Sequence, residues 1–424
     1  MQRQTLRMQS ANLSTTLFLF LALALCLVTV IAAPAQTYTT LFRFNADQGY
    51  GPSALVQSAN GNFYGTTGLD GIYGSGTVFE VSPTGEYKTL YSFCAQSNCP
   101  DGEYPPAALA KGSNGHFYGV TQEGGANGYG TVFEITPSGT LTTLYNFCAQ
   151  PNCSDGGLPQ GGLLQARNGN FYGTTTQGGT AGLGTIFEMS PTGQQRVLYS
   201  VCSLANCADG YLPIASLIQA TNGEFYGTMS HGGAQGVGTV FELTPAGVLN
   251  TLYNFCSLPA CSDGEYPSAS LMQSTSGMLY GTVTSGGSHS YGAIFEITPA
   301  GKFKRLYSFC AQPSCTDGSY PYAALLQATD GNFYGTTVRG GSYGAYGEGT
   351  LFKFTPPSTL TTLYSYCDPS CNTAGSPYSA MIQATNGLLY GTTGEGGEDS
   401  AGTVFSLSVG LDPTVQTLSP STDR

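Results

Sequence analysis

The tripeptide Tyr-Gly-Thr, or a near variant, recurs at Tyr64, Tyr118, Tyr172, Tyr226, Tyr280, Tyr334 and Tyr390, at intervals of 54 residues five times and 56 once. A second series, Gly-Thr-Val-Phe-Glu or a relative, places Phe79, Phe133, Phe187, Phe241, Phe295, Phe352 and Phe405 in step with the first. Self-similarity at a fixed period marks a repeat architecture, in which one supersecondary unit is built seven times over.

Each unit reads as four short strands. In the second unit, strand a is expected at Ala108 to Ala110, strand b at Phe117 to Thr121, strand c at Thr131 to Ile135 and strand d at Leu141 to Phe147. Asn114-Gly115 between a and b predicts a two-residue type I′ hairpin, because Asn and Gly tolerate the positive φ that such a turn needs. Pro137-Ser138-Gly139 closes c onto d, with Pro near its fixed φ and Gly where φ must be positive. Successive strand residues point to opposite faces, yet Phe63 and Tyr64 are both large aromatics, as are their counterparts in most copies. A strand with one wet face would alternate apolar with polar. These strands are buried on both faces, as in a propeller blade packed between two neighbours. The predicted fold is therefore all-β: a seven-bladed β-propeller with four antiparallel strands per blade.

Thr40-Leu41-Phe42-Arg43-Phe44 matches the strand d pattern of later units, and the last unit stops after its strand c at Val404-Phe405. The N-terminal strand thus completes blade seven and closes the ring, removing exposed sheet edges. A phase beginning at strand d, with every blade contiguous, is the alternative that the sequence leaves open.

Residues 1–35 read as a signal peptide: Arg3 and Arg7, an apolar run from Leu17 to Ile31, then Ala33-Pro34-Ala35. The run is about 15 residues, short of the roughly 20 that span a bilayer, so no membrane span is expected in the mature chain. Leu25 before Cys26 does not fit a lipoprotein signal. The repeats then occupy residues 36–409, and 410–424 form a polar C-terminal tail. Removing the leader leaves 25 acids against 11 bases, a net charge of about −14 that repels phosphate backbones, so nucleic acid is not an expected partner.

Twelve cysteines outside the leader fall in pairs after strand d: Cys94 with Cys99, Cys148 with Cys153, Cys202 with Cys207, Cys256 with Cys261, Cys310 with Cys315, and Cys367 with Cys371. Even, regular spacing in an exported chain predicts local disulfides. Metal is not expected, because zinc needs four ligands and His116, His231 and His289 follow no ligand spacing. Tight a–b and c–d turns share one plain face. The cystine loops and Gly-rich b–c loops share the other, where ligand sites usually lie.

The repeated Asn-Phe-Tyr-Gly-Thr-Thr at Asn62 to Thr67, the Gly-Gly-x-x-Gly-x-Gly-Thr-x-Phe-Glu at Gly178 to Glu188 and the Leu-Tyr-Ser-Phe at Leu90 to Phe93 resemble the GloVer tandem-repeat proteins. The resemblance covers residues 37 to 409. It implies a secreted or surface bacterial protein and no particular activity. The tail lacks a recognisable sorting motif, which sets this chain apart from anchored members.

Glu80, Glu134, Glu188, Glu242 and Glu296 repeat at one strand position, which points to a structural hydrogen bond, expected between blades, rather than to a catalytic pair in two different environments. Asp101, Asp155, Asp209, Asp263 and Asp317 read as turn formers, without the dense acidic spacing of a calcium loop. No helix follows the Gly-rich loops, which excludes a dinucleotide cradle, and no nucleophile elbow is present. Symmetry breaks most clearly in the blade-six b–c loop, Arg339 to Glu348, three residues longer than its relatives and carrying Tyr343 and Tyr346. Its neighbour in blade seven carries Glu395, Glu398 and Asp399. Arg339, Tyr343, Tyr346, Glu348, Glu395, Glu398 and Asp399 are the candidate binding residues, with no catalytic residue, no metal and no cofactor. The expectation is a monomeric, secreted or periplasmic, non-catalytic binding or scaffold propeller for an extracellular glycan, peptide or protein. The alternative is an extracellular polysaccharide-degrading hydrolase or lyase on the same scaffold.

Overall fold

The computed structural model describes residues 36–344, 347–366, 374–397 and 399–413. Seven antiparallel sheets follow one another along the chain. In blade two, strands b, c and d are Phe117–Thr121, Thr131–Ile135 and Leu141–Asn146, within one residue of expectation. Strand a is shorter and later than expected, Ala110–Lys111, because the chain before it runs in as a bent segment that touches strand b through single bridges. Among the described residues only blade one extends this lead-in into a strand of its own, Tyr50–Pro52.

The ring closes as the N-terminal strand predicts. Thr37–Arg43 pairs antiparallel with Thr403–Ser408, Thr37 opposite Ser408 and Arg43 opposite Thr403, so blade seven combines the first strand of the described chain with its last three. The contiguous-blade phase is excluded.

Both faces of strand b are buried because its two aromatics serve different interfaces. Tyr64 stacks on Phe117 of the next blade at 4.2 Å, and the same contact, with the rings tilted, joins Tyr118 to Phe171 at 4.1 Å, Tyr172 to Phe225 at 4.2 Å and, across the closure, Tyr390 to Phe63 at 4.1 Å. Such ring pairs add about 0.5–1.5 kcal/mol beyond the area they bury. A second contact repeats on the plain face. The strand-a glutamines Gln165, Gln219, Gln273, Gln327, Gln383 and Gln57 each accept an N–H from the preceding blade's a–b turn, from Ser113 N to Gln165 at 2.9 Å round to Thr385 N to Gln57 at 3.0 Å. Blade two alone has Lys111 there, which offers no acceptor.

The a–b turns are not type I′. Gly115 lies at φ 82° but Asn114 does not have positive φ; Gly115 N donates to Gly112 C=O at 3.0 Å and Gly112 N to His116 C=O at 2.8 Å. This is a three-residue loop, a type I turn followed by a left-handed glycine. The Asn114 side chain instead braces the turn against strand b, since its Oδ1 accepts His116 N at 3.1 Å while its Nδ2 donates to the Tyr118 hydroxyl at 2.8 Å.

The repeated glutamates bond within blades, not between them. Tyr118 and Glu134 are register partners on strands b and c, and the Tyr118 hydroxyl donates to Glu134 at 2.7 Å, as Tyr64 does to Glu80 and Tyr172 to Glu188 at 2.8 Å. Blade six replaces Glu with Lys353, and Tyr334 turns to Asp330 of its own a–b turn at 2.9 Å.

Five disulfides, Cys94–Cys99, Cys148–Cys153, Cys202–Cys207, Cys256–Cys261 and Cys310–Cys315, close the expected local loops. Cys367 and Cys371 lie outside the described residues. The repeated aspartates tie these loops to strand d. Buried Asp155 accepts the Tyr145 hydroxyl at 2.7 Å, Ala149 N at 2.9 Å and Gln150 N at 3.1 Å. Past the last strand, Val409 and Leu411 pack against blade seven, and Gln383 Nε2 donates to the Asp412 carbonyl at 3.1 Å.

Candidate functional site

Strand b is buried along its length and then emerges at one place, two residues beyond the Thr-Thr of Tyr-Gly-Thr-Thr. In blade order that place holds Leu69, Glu123, Gln177, His231, Ser285, Arg339 and Glu395, each at least partly solvent-accessible. Each faces, across an antiparallel bridge, the residue that leads into strand a: Tyr50, Glu103, Gly157, Tyr211, Glu265, Ser319 and Gly375. Strand a is the inner edge of every sheet, and the strands a of neighbouring blades two and three touch. These seven pairs therefore form a girdle round the channel mouth on the loop-bearing face. Its backbone repeats sevenfold while its side chains do not.

Contacts cross several blade boundaries at this girdle. His231 lies between Tyr211, ring centroids 5.5 Å apart, and Tyr266 of the next blade at 5.2 Å. Ser75 Oγ donates to Glu103 at 3.4 Å. Burial, and then the like charge of Glu123, raise the Glu103 carboxyl above the usual carboxylate range. Arg339 Nη1 meets Glu348 Oε2 at 3.0 Å, and the same oxygen accepts Ser376 Oγ of blade seven at 2.9 Å. Burial raises the Tyr378 phenol and the negative field of Glu395 raises it further, with Arg339 opposing. Tyr50 of blade one is raised by burial and then by the same Glu395.

Of the residues expected to form a binding patch, the structure brings Arg339, Glu348 and Glu395 to this mouth. It does not bring Tyr343 with them. Tyr343 is exposed at the outer rim, in a shallow groove with Thr316, Thr362 and Tyr364. Asp399 is exposed in the blade-seven b–c loop. Tyr346 and Glu398 lie outside the described residues.

The sequence reading missed Tyr322 and Tyr378, which stand three residues beyond the girdle's lead-in positions in blades six and seven. They are 42% and 48% exposed, and their rings meet edge to face at 5.8 Å and 68°. It also missed a hollow of about 320 Å³ at blades one and two, lined by Gly68, Leu69, Tyr104, Pro106 and Gln122. The available signal was the aligned repeats themselves, in which the residue after strand b differs nearly every time. Two other places bring sulfur and carboxylate together, Cys94/Cys99/Glu103 and Cys256/Cys261/Glu265, but their sulfurs are committed to disulfides and offer no thiolate for a metal.

Seven four-stranded blades, a closing N-terminal strand and a mouth whose chemistry breaks the symmetry define a seven-bladed β-propeller. The chain belongs to the Gloeobacter/Verrucomicrobia repeat family, whose model matches residues 27–153, 148–346 and 222–420. No curated protein matches it in sequence. Among solved structures it is similar to two extracellular domains from B. thetaiotaomicron described as parts of hybrid two-component systems. BT4673 has TM-score 0.54 and 10% identity, with coverage of 87% of this chain and 39% of that one. BT3049 has TM-score 0.54 and 15% identity, with coverage of 89% and 41%. The chain thus spans about two-fifths of the length of these relatives, and the likeness is one of fold. The disulfides place the folded protein in an oxidising compartment, extracellular or periplasmic. Among the described residues no helix is long and apolar enough to cross a membrane.

Proposed function

We propose that this is a secreted, monomeric, non-catalytic binding propeller, exported by the leader of residues 1–35, which takes an extracellular glycan or peptide on its loop-bearing face. Residues 36–409 form the propeller and 410–424 a polar tail. The observation that supports binding is the girdle: at one backbone position, accessible in every blade, Leu69, Glu123, Gln177, His231, Ser285, Arg339 and Glu395 gather apolar, acidic, amide, imidazole, hydroxyl and guanidinium groups round one mouth. Binding residues on a rigid scaffold are expected where loops and a channel mouth meet. The repeated carboxylates do not supply a competing catalytic set, since Glu134 is held by Tyr118, and Asp155 by Tyr145 and two backbone N–H groups.

The test is an array of glycans and peptides probed with the mature chain beginning at Gln36, with product analysis of every bound polysaccharide. Retention without product supports the reading. Time-dependent release of shorter sugars would replace it with the hydrolase or lyase reading.

A further inference from the structure

We infer that the corner formed by Tyr322 and Tyr378 is a stacking subsite for a pyranose ring of a neutral oligosaccharide, with Arg339 and Glu395 as its hydroxyl-reading groups. The inference rests on the binding reading above and names its ligand class.

The geometry of the corner carries the argument. A Cβ on Gly394 would lie 2.8 Å from the Tyr378 ring, so the ring sits close against the bare backbone at the end of strand b while 48% of the residue stays exposed. Tyr322 is inclined to that ring at 68° with the centroids 5.8 Å apart, closing one side. Two exposed tyrosines inclined in this way form a wall and a floor; the apolar C–H face of a sugar ring fits the floor while its equatorial hydroxyls project to the edges. An aromatic ring with a polar tip suits a ligand that is apolar on one face and wet at its rim.

The polar groups beside the corner include both a donor and an acceptor, and the donor is held in place. Glu348, only 8% exposed, anchors Arg339 at 3.0 Å and is itself anchored by Ser376 at 2.9 Å. Arg339, whose side chain is 41% exposed, carries more N–H donors than the one contact with Glu348 uses, and Glu395 on the blade-seven girdle is an acceptor. A sugar hydroxyl both donates and accepts, and matches this pair. A uronate or phosphorylated sugar does not, because Glu395, Glu103, Glu123 and Glu265 outnumber Arg339 round the mouth. The same acidic excess attracts a lysine-rich peptide, but a lysine side chain offers Arg339 no acceptor, and that peptide is the competing occupant in the test.

The test uses the mature chain on polysaccharide affinity gels and in calorimetry with neutral glucan and xylan hexasaccharides, an oligogalacturonate and a lysine-rich peptide. At least one neutral hexasaccharide is expected to bind, and Tyr378→Ala and Tyr322→Ala each to weaken it tenfold or more with the melting temperature unchanged. Tyr378→Phe retains most of the affinity, since the ring rather than the hydroxyl makes the contact; Gly394→Val, which drives the ring from its seat, does not. Binding of the galacturonate or peptide alone would overturn the ligand class while leaving the binding reading intact. Neutral-sugar binding indifferent to both tyrosines would overturn the location. Binding of no probe, with product released from a polysaccharide, would overturn both readings.

Discussion

Thr239 is buried directly opposite Met229 on strands c and b of blade four, and its hydroxyl has no hydrogen-bond partner. In blades one, two, three, six and seven the same place holds two threonines whose hydroxyls bond each other at 2.8–2.9 Å. Blade five resolves it the other way, with Val283 opposite Ala293. An unsatisfied buried hydroxyl costs about 1–3 kcal/mol. Thr239→Val should therefore stabilise the protein by about 1 kcal/mol in urea unfolding, whereas Met229→Thr, which restores the hydroxyl pair but empties part of a wholly buried core position, should destabilise it. Destabilisation by Thr239→Val would contradict this account.

Lys111 interrupts the ring of glutamine clasps. Lys111→Gln would give the preceding a–b turn, at Ala59 N, the acceptor that six other turns possess. The expected gain is about 0.5–1 kcal/mol, the usual net contribution of one such bond. Gln219→Ala should lose a similar amount, because Gln219 accepts Arg167 N at 3.0 Å and donates to Gly223 C=O at 2.9 Å. Thermal melts of the two variants should move in opposite directions.

Truncation of residues 36–46 should damage the fold out of proportion to its length. It removes the outer strand of blade seven and Tyr38, which stacks on Tyr364 of blade six at 4.1 Å and on Phe405 at 5.2 Å. Tyr38→Ala alone is expected to cost about 2–3 kcal/mol, below the range for a wholly buried aromatic because its ring is partly accessible. A truncated protein melting at the wild-type temperature would show that the closing strand contributes nothing.

Alkaline pH should weaken the fold from about pH 10 upward. Burial, with the neighbouring glutamates adding to it, pushes the phenols of Tyr64, Tyr118, Tyr172 and Tyr280 up to about 12. Above the unfolded value of about 10 the unfolded chain releases these protons first, so it binds fewer protons than the folded one and stability falls with pH. The contribution is complete below about pH 10 and is lost as pH rises through the folded value. Each tyrosine adds a slope of up to about 1.4 kcal/mol per pH unit in that window. Tyr118→Phe should flatten the curve by about one proton, measured by urea unfolding between pH 9 and 12; an unchanged slope would contradict the assignment.

Much of the fold was legible because a propeller repeats its constraints. Tyr64 and its six counterparts sit at fixed intervals since each fills the same interface, and the unmatched strand at Thr40 to Phe44 announced the closure. Turn type was not legible: Asn-Gly suits both a type I′ turn and a type I turn ending in a left-handed glycine, and the difference lies in the bond from Gly115 N to Gly112 C=O. Nor was the partner of Glu134, because a strand residue reaches a neighbour on its own sheet or on the next with equal ease along the sequence.

What the sequence determined by itself was therefore the blade count, the strand order, the ring closure and the local pairing of the ten described cysteines, all properties of short segments read again in each unit. What only the tertiary structure decided was which non-repeated side chains share a surface. Tyr343 and Arg339 are four residues apart in one loop, yet one points to the outer rim beside Tyr364 and the other to the channel mouth beside Glu348. Tyr322 and Tyr378 are far apart in the chain and meet only because blades six and seven converge where strand a is innermost. Convergence of radial sheets is set by packing round the whole ring, and no local pattern encodes it.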